Sequence, residues 1–418
     1  MMLYNSPFRH VDTKENLQKV KAYNNVIVFG TGNLGNIVIA ALKKEGINVL
    51  FLTDNNRSKW NTEIHGYKVL PPKELKKTNN ETPIILASDL TFPYMHRQLK
   101  EMGLTNVFDA DFLLEKLDLE IDDLHKMGVY WSKVKIKQKI DLYLYDINSQ
   151  KNKNSELNVR CVDLVLTEKC SLKCAGCSNL MQYYAKPVDE DFDQCIKSID
   201  TFMNTIDYVY EIRVLGGEPL MYKRIDEVIK HLYKYENYGK LQINTNGTIC
   251  PKPEKMEVFK NDKVFFDISD YGEKSRNLDK LVSELKRLGI RYNAARSLEW
   301  QDCGRIVETN RKEEHNKEVF GNCCENQGLT ILHGKLYLCP FQANATNLKA
   351  IPYFTKEIIE LENHNRDELR DLIHDLYFKT EYLEACKSCN GRDHNVAKIE
   401  AAVQMKTPVK YDFINIKI

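Results

Sequence analysis

The sequence predicts an α/β protein of more than one module, on three observations. Strand-like and helix-like segments alternate in two separate blocks. At 418 residues the chain is long for a single hydrophobic core. Its twelve cysteines are absent from the first 160 residues, three of them fall within Cys170–Cys177 and five lie in the last hundred residues.

In the first block come a strand over Asn25–Phe29, a helix over Leu34–Glu45, strands over Asn48–Thr53 and Pro83–Ala87, and a helix over Tyr94–Met102. Apolar runs of strand length give way there to apolar positions at helical spacing. This small α/β module ends near Leu124, which places a first domain at 1–125. The polar run Lys151–Ser155 marks the next boundary, so 126–155 reads as a linker. Within it Lys133, Lys135, Lys137 and Lys139 alternate with Val134 and Ile136, the pattern of a strand with one solvated face.

The second block spans 156–310. Strands near 160–166, 210–215, 240–245, 263–269 and 290–294 alternate with amphipathic helices near 191–206, 223–237 and 275–288, so parallel strands with crossover helices are expected. After Glu308 the rhythm stops. Leu329–Leu332 and Lys335–Leu338 flank the turn pair His333-Gly334 as a hairpin, and a charged helical stretch leads on to Cys386. A small third domain over 311–400 and a tail over 401–418 complete the division.

Composition narrows the function. With 43% apolar and 28% charged residues the chain is an ordinary globular one, and 60 Lys and Arg against 59 Asp and Glu leave a net charge of +1. No global field draws in nucleic acid, so none is expected as a partner. The longest apolar runs, such as Ile37–Leu42, fall far short of the ~18 residues of a membrane span. The N-terminus lacks an apolar leader core, so a cytoplasmic location is expected. Cytosolic thiols stay reduced, so metal binding or catalysis must explain the cysteines.

The segment T-E-K-C-S-L-K-C-A-G-C places Cys170, Cys174 and Cys177 on one short loop after the first strand of the second block. Three thiolates satisfy three irons of a 4Fe-4S cluster and leave the fourth open to a ligand. Zinc is the alternative, but it wants four nearby donors. The C-x3-C-x2-C spacing resembles the signature of the radical S-adenosylmethionine (radical SAM) superfamily. Further matches are Gly216, Gly217, Glu218 and Pro219 after the second strand, Asn246 after the third, and Ser269 and Asp270 at the fourth. The resemblance implies a partial (β/α)6 TIM-like barrel with its site on the C-terminal face. It implies a site-differentiated 4Fe-4S cluster on the three cysteines, and S-adenosylmethionine held by Gly176 and the residues just named. It also implies reductive cleavage to a 5′-deoxyadenosyl radical that abstracts a substrate hydrogen, with flavodoxin or ferredoxin as electron donor. Many relatives carry an aromatic residue where this chain has Gly176, so adenine contacts must come from backbone or elsewhere.

Cys323, Cys324, Cys339, Cys386 and Cys389 form a second group. It is similar to the auxiliary-cluster extensions called SPASM and twitch domains. No cysteine follows Cys389, so the single-cluster, twitch-like form fits, with Cys339, Cys386, Cys389 and either Cys323 or Cys324 as ligands of an auxiliary 4Fe-4S cluster. A four-thiolate structural zinc site is the alternative. Cys161, Cys195 and Cys250 read as small buried hydrophobes. Cys303, in W-Q-D-C-G, is a candidate hydrogen donor to a substrate radical, or simply a packed thiol.

In the first block, V-I-V-F-G-T-G-N-L-G sets Gly30, Gly32 and Gly35 between strand and helix, with Asp54 ending the next strand. A Rossmann-like module would use the glycines for a tight turn, the helix N-terminus for a phosphate and Asp54 for a ribose hydroxyl. The first 115 residues resemble the N-terminal domain of sugar acetyltransferases of bacterial surface-glycan pathways, which implies a nucleotide or nucleotide-sugar ligand. The combined expectation is a radical SAM enzyme acting on a nucleotide-linked sugar or glycan precursor. Radical modification of a peptide or protein, and a non-catalytic metal-stabilised scaffold, are the alternatives.

Overall fold

The structure, a computed structural model, describes residues 13–410 apart from Asn79, Lys116, Asp118, Ser132, His394 and Asn395. Residues 1–12 and the last part of the 401–418 tail therefore lie outside the described residues. The chain divides into two compact units, Met1–Asn152 and Lys153–Ile418.

The first unit contains strands β1 (Asn25–Phe29), β2 (Asn48–Thr53), β3 (Glu63–Ile64), β4 (Tyr67–Leu70), β5 (Ile84–Leu86) and β6 (Val107–Asp109). They form one sheet in the order β3-β4-β2-β1-β5-β6, parallel except for the β3–β4 pair. Alternate residues of β1 serve opposite faces, as strand geometry requires. Val26 and Val28 pack with Ile37, Val38 and Ala41 of the helix Asn33–Lys44. Ile27 and Phe29 pack with Met95 and Leu99 of the helix Phe92–Glu101. Both faces are thus covered, which is why these strands are apolar throughout.

One expectation fails here. Residues 133–139 are not a strand but the start of the helix Lys133–Asn152. The lysine alternation has period two, but Ile136, Ile140, Tyr143 and Ile147 bury a stripe at helical spacing in the same core. Tyr143 anchors that stripe: its hydroxyl donates to Leu86 O at 3.1 Å and accepts from Ala110 N at 2.9 Å.

The second unit contains β7 (Asn158–Val165), β8 (Tyr208–Leu215), β9 (Tyr238–Thr245), β10 (Val264–Asp270), β11 (Arg291–Arg296), β12 (Glu299–Gln301), β13 (Gly328–Leu332), β14 (Lys335–Tyr337), β15 (Ile359–Glu360) and β16 (Lys398–Glu400). Strands β7 to β11 lie side by side and parallel. β13 adds in parallel on the other flank of β7, and β14 and β15 follow antiparallel. β12 and β16 form a separate antiparallel pair.

The hairpin β13–β14 was expected in a separate third domain, but it continues the central sheet. Gly328–Ile331 pair with Cys161–Leu164, and Leu329 and Ile331 enter the main core. It thereby supplies the sixth parallel strand.

The crossover helices Phe192–Thr205, Ile225–Leu232 and Leu278–Leu288 form as their apolar spacing predicts. Asp191 caps the first, its side chain accepting from Gln194 N, and Gly289 ends the third at φ +68, a left-handed conformation that favours glycine. All three pack on one face of the sheet against Val162, Leu164, Ile212, Val214, Leu241, Ile243, Phe266 and Ile268.

Replacing Tyr143 by Phe leaves a buried carbonyl and a buried N–H without their partner. We expect a loss of about 1–3 kcal/mol in the stability of the first unit, read as a shift in its urea unfolding midpoint.

Candidate active site

Beyond β7 the chain turns into the loop Thr167–Cys177, which is held by the end of β8. Gly217 N donates to Thr167 O at 2.7 Å and Glu218 N to Lys169 O at 2.8 Å. A Cβ on Gly216 would come within 2.3 Å of Thr167 O, and one on Gly217 within 2.3 Å of Lys169 O. Both glycines are therefore required by the contact of this turn with the cysteine loop, whatever else they meet. Pro219 opens the short turn Pro219–Met221 that follows.

Glu218 is fully buried and faces inward. Its Oε1 accepts from Thr245 Oγ1 at 2.8 Å and Leu220 N at 3.2 Å, and its Oε2 from Asn246 N at 2.8 Å. Burial pushes its carboxyl up to about 7, against those hydrogen bonds. Its carboxylate therefore braces β8 against β9.

Asn246 carries the bracing to the thiols. Its Nδ2 lies 3.7 Å from Cys170 Sγ and 3.2 Å from Ser171 Oγ, while its Oδ1 accepts from Thr248 N and Oγ1. Ser269 and Asp270 end β10. Asp270 Oδ1 accepts from Gly272 N at 2.7 Å and from Arg296 Nη1 at 3.2 Å. Next to them Tyr271 packs edge-to-face on Trp300, ring centres 5.6 Å apart, and both, like Cys170, pack against the cluster of Leu172, Cys174 and Ala402.

The thiols of Cys170, Cys174 and Cys177 influence one another. Burial pushes Cys170 up to about 11 and Cys174 up to about 12, adjacent thiols adding to the effect, and burial raises Cys177 too. Thiolates in such surroundings need a cation to hold them deprotonated. Three soft sulfur donors on one loop suit iron–sulfur ligation. Among the described residues no three or more His, Cys, Asp or Glu side chains gather as one metal ion would need, whereas a cluster takes one thiolate on each of several irons.

Gly176 has a reason of its own. A Cβ there would meet Ile399 Cδ1 of β16 at 2.4 Å, and Gly304 packs against the Gly176 carbonyl. The tail then crosses the loop: Ala175 N donates to Val403 O at 2.7 Å and Met405 N to Lys173 O at 2.9 Å. Sequence reading missed Ile399, the tail residues 402–405, Tyr271 and Trp300, for no local motif marks a distant strand that covers a loop.

In the second cysteine group Cys323, Cys339, Cys386 and Cys389 line one small cavity with otherwise mostly apolar walls, including Val319, Phe320, Phe341 and Leu383. Cys324 does not line it. It is exposed, and its Sγ lies 3.7 Å from Glu325 Oε1. The geometry thus separates two neighbours that spacing left equivalent. Cys303 is buried, with Arg392 Nε donating to its Sγ at 3.2 Å. Arg392 also pairs with Glu325, which pairs with Arg213 at 3.1 Å, and Arg213 pairs with Asp163. Cys161 and Cys195 are buried as expected, and Cys250 is half-buried.

In the first unit Gly30 and Gly35 are packing positions. A Cβ on Gly30 would meet Ala87 O at 2.6 Å, and one on Gly35 would meet Gly30 O at 2.1 Å, whereas Gly32 faces open space. Asp54, expected on a ribose, is instead engaged within the protein. Its Oδ2 accepts from Thr31 N at 2.8 Å, from Thr31 Oγ1 at 2.5 Å and from Lys59 Nζ at 3.3 Å, and its Oδ1 from Asn56 N at 2.8 Å. Burial raises its carboxyl, but Lys59 and the Thr31 and Asn56 donors outweigh that and hold it below the usual range.

Residues 164–299 match the family described as the Radical SAM superfamily, and residues 22–107 match one described as C2185-like, N-terminal. The matched stretch runs from the end of β7 to the start of β12, and the domains of that superfamily work with a 4Fe-4S cluster and S-adenosylmethionine. Molybdenum cofactor biosynthesis protein 1 of Dictyostelium discoideum is 25% identical over 178 residues, covering 42% of this chain and 25% of that protein. GTP 3′,8-cyclase of Stenotrophomonas maltophilia is 31% identical over 90 residues, covering 21% and 27%. The chain spans about a quarter of the length of these curated relatives. A solved structure described as native anSMEcpe with bound AdoMet has a TM-score of 0.37 at 12% identity, over 57% of this chain and 92% of that one. Among the described residues no helix is long and apolar enough to cross a membrane.

Two residues before Cys170, Glu168 joins a buried cluster. The ring of His333, in the β13–β14 turn, contacts Glu168 Oε1 at 3.1 Å and Glu190 Oε2 at 2.6 Å. Those two carboxylates raise the imidazole to about 9. A folded-state value above the unfolded one gives stability that is complete below the unfolded value, ~6.5, and is lost as pH rises through about 9. The stability advantage of the wild type over His333→Asn should therefore be largest at pH 6 and shrink by pH 9.5, in urea titrations at the two pH values.

Proposed function

We propose that this chain holds a site-differentiated 4Fe-4S cluster on Cys170, Cys174 and Cys177. S-adenosylmethionine would bind beside it along Gly176, Gly216–Pro219, Asn246, Ser269 and Asp270, and the substrate would be a small polar molecule, a nucleotide-linked sugar or glycan precursor. The observation that carries the reading is a loop bearing three thiols within the stretch that matches the radical SAM superfamily, with Asn246 Nδ2 3.7 Å from Cys170 Sγ. When bound, such a cluster supplies the electron that cleaves S-adenosylmethionine to the radical that takes a substrate hydrogen.

The chain's own residues prepare that event. Asn246 Nδ2 points a donor at the Cys170 sulfur, and hydrogen bonds to cluster sulfurs tune the potential. Tyr271, Trp300 and the tail at Ala402 pack on the loop at Leu172 and Cys174. The Gly216–Glu218 turn fixes the loop in register with the strand ends. Cys323, Cys339, Cys386 and Cys389 are assigned to an auxiliary 4Fe-4S cluster on their shared cavity, and flavodoxin or ferredoxin to electron delivery. Cys303, polarised by Arg392, is the candidate hydrogen donor. Open space at Gly32 supports a nucleotide in the first unit.

Anaerobic reconstitution with dithionite and S-adenosylmethionine should yield 5′-deoxyadenosine from the wild type and none from Cys170→Ala. A wild type with a full cluster and no such product would sink the reading. Iron content should fall from roughly eight to roughly four per chain in Cys323→Ala and stay at the wild-type level in Cys324→Ala. Equal loss in both would remove the assignment of Cys323. UDP-glucose should raise the melting temperature of the wild type but not of Gly32→Asp, and no shift in either would withdraw the nucleotide.

A further inference from the structure

The face of the central sheet opposite the helices is polar, and its polarity is graded. In register across the strands stand Cys161, Glu211 and Lys240, then Asp163, Arg213 and Gln242, then Asn244, Asp267 and Asn293. Barrel interiors are ordinarily filled by Val, Ile and Leu.

The first two rows satisfy themselves. Lys240 pairs with Glu211, Arg213 with Asp163 and Glu325, and Lys240 Nζ donates to Gln242 Oε1 at 2.7 Å. The third row does not. Asn293 Nδ2 donates to Asp267 Oδ1 at 3.0 Å, and Gln242 Nε2 to Asn244 Oδ1 at 2.7 Å. That leaves Asp267 Oδ2, Asn293 Oδ1 and the Asn244 amide hydrogens without a protein partner, and Asp267 without a cation, among the described residues. All three side chains are half-buried.

The row also lies at the right depth. Asp267 is two residues, ~7 Å, before Ser269, and Asn244 is two before Asn246, which touches Cys170. On the β7–β8 side the same face is filled by Val165 and Leu215 against Leu332, Tyr337 and Ala343. The polar row on β9 to β11 is not covered by that cluster, and its three side chains are half-buried.

We infer that Asn244, Asp267 and Asn293 form the substrate-recognition row, and that they take a polyhydroxylated small molecule. Asp267 and Asn293 accept from its hydroxyl or ammonium donors, and Asn244 donates to one of its oxygens. An unpaired carboxylate flanked by amides offers alternating acceptors and donors, the complement of adjacent polar substituents on a ring. It disfavours a phosphate or carboxylate at the same point, so an anionic part of the ligand would bind elsewhere. The inference deepens the proposed function and rests on its choice of a small polar substrate. It does not rest on cleavage of S-adenosylmethionine.

The test is equilibrium dialysis of the reconstituted full chain against a bacterial metabolite extract containing added glucose, glucosamine and UDP-glucose, read by mass spectrometry. The wild type should enrich at least one polyhydroxylated compound, and Asp267→Ala and Asn293→Ala should each lose that enrichment tenfold or more. Enrichment of glucosamine over glucose would assign the Asp267 partner as an ammonium, and the reverse as a hydroxyl. The same enrichment in wild type and variants, enrichment of peptides only, or no enriched polyol would overturn the inference. Asp267→Asn, which keeps the shape, guards against misfolding. Each variant should retain the wild-type cluster absorbance, and 5′-deoxyadenosine formation is read on the wild type, so failure of recognition is distinguished from failure of the radical chemistry.

Discussion

Two backbone hydrogen bonds, from Gly217 to Thr167 and from Glu218 to Lys169, fix where the cysteine loop sits. They form only because Gly216 and Gly217 have no Cβ; any side chain there would overlap the loop carbonyls. The turn they belong to is in turn held by one buried carboxylate. Glu218 gathers Thr245 Oγ1 and the Asn246 amide, so the end of β9 moves with the end of β8. Through Asn246 the chain of constraint reaches the sulfur of Cys170. A cluster site needs its thiolates held in place before metal arrives, and three adjacent strand ends provide that here without any of the thiols bonding to one another.

The same sheet serves two solvents. Alternation along each strand sends Val162, Leu164, Ile212, Val214, Leu241 and Ile243 to the helices, where their burial supplies the main core. It sends Asp163, Glu211, Arg213, Lys240, Gln242 and Asn244 to the other face. Charges there are tolerable because they pair across neighbouring strands, and breaking one partner would leave the other uncompensated in a buried setting. Ion pairs of this kind contribute little net stability, so these rows hold the strands in register by satisfying one another rather than by strengthening the fold.

Much of this was legible in the sequence because it is local. Strand positions and crossover helices follow from apolar spacing within ten or so residues, and β2 spans Asn48–Thr53 in both the reading and the structure. The cysteine loop and its flanking strand ends were legible as short motifs. What was not legible depends on distant partners. Nothing near Gly176 says that Ile399 fills the space beside it, and nothing in Leu329–Leu332 says that it will pair with β7 across more than 160 residues. Asp54 occupies the position expected of a ribose ligand, yet Thr31 and Lys59 reach it first. The lysine run at 133–139 shows the opposite failure: a period-two pattern in polar residues carried no weight against buried Ile136, Ile140 and Tyr143.

Arg392 illustrates how the two cysteine groups of the second unit are related electrostatically. It is half-buried, and it contacts both Cys303 and Glu325. Its charge favours the thiolate form of Cys177 on one side and of Cys389 on the other. A guanidinium cannot lose its proton under ordinary conditions, so it is a fixed positive charge between two thiol-rich loops. Glu325 offsets that charge and links it through Arg213 to Asp163 on β7. The balance is local: two arginines alternate with two carboxylates along the line, so it crosses the interior without net charge. Charge added to either cysteine group on binding metal would therefore be felt first at Arg392, whose guanidinium is the group able to shift its contacts between the Cys303 sulfur and the Glu325 carboxylate.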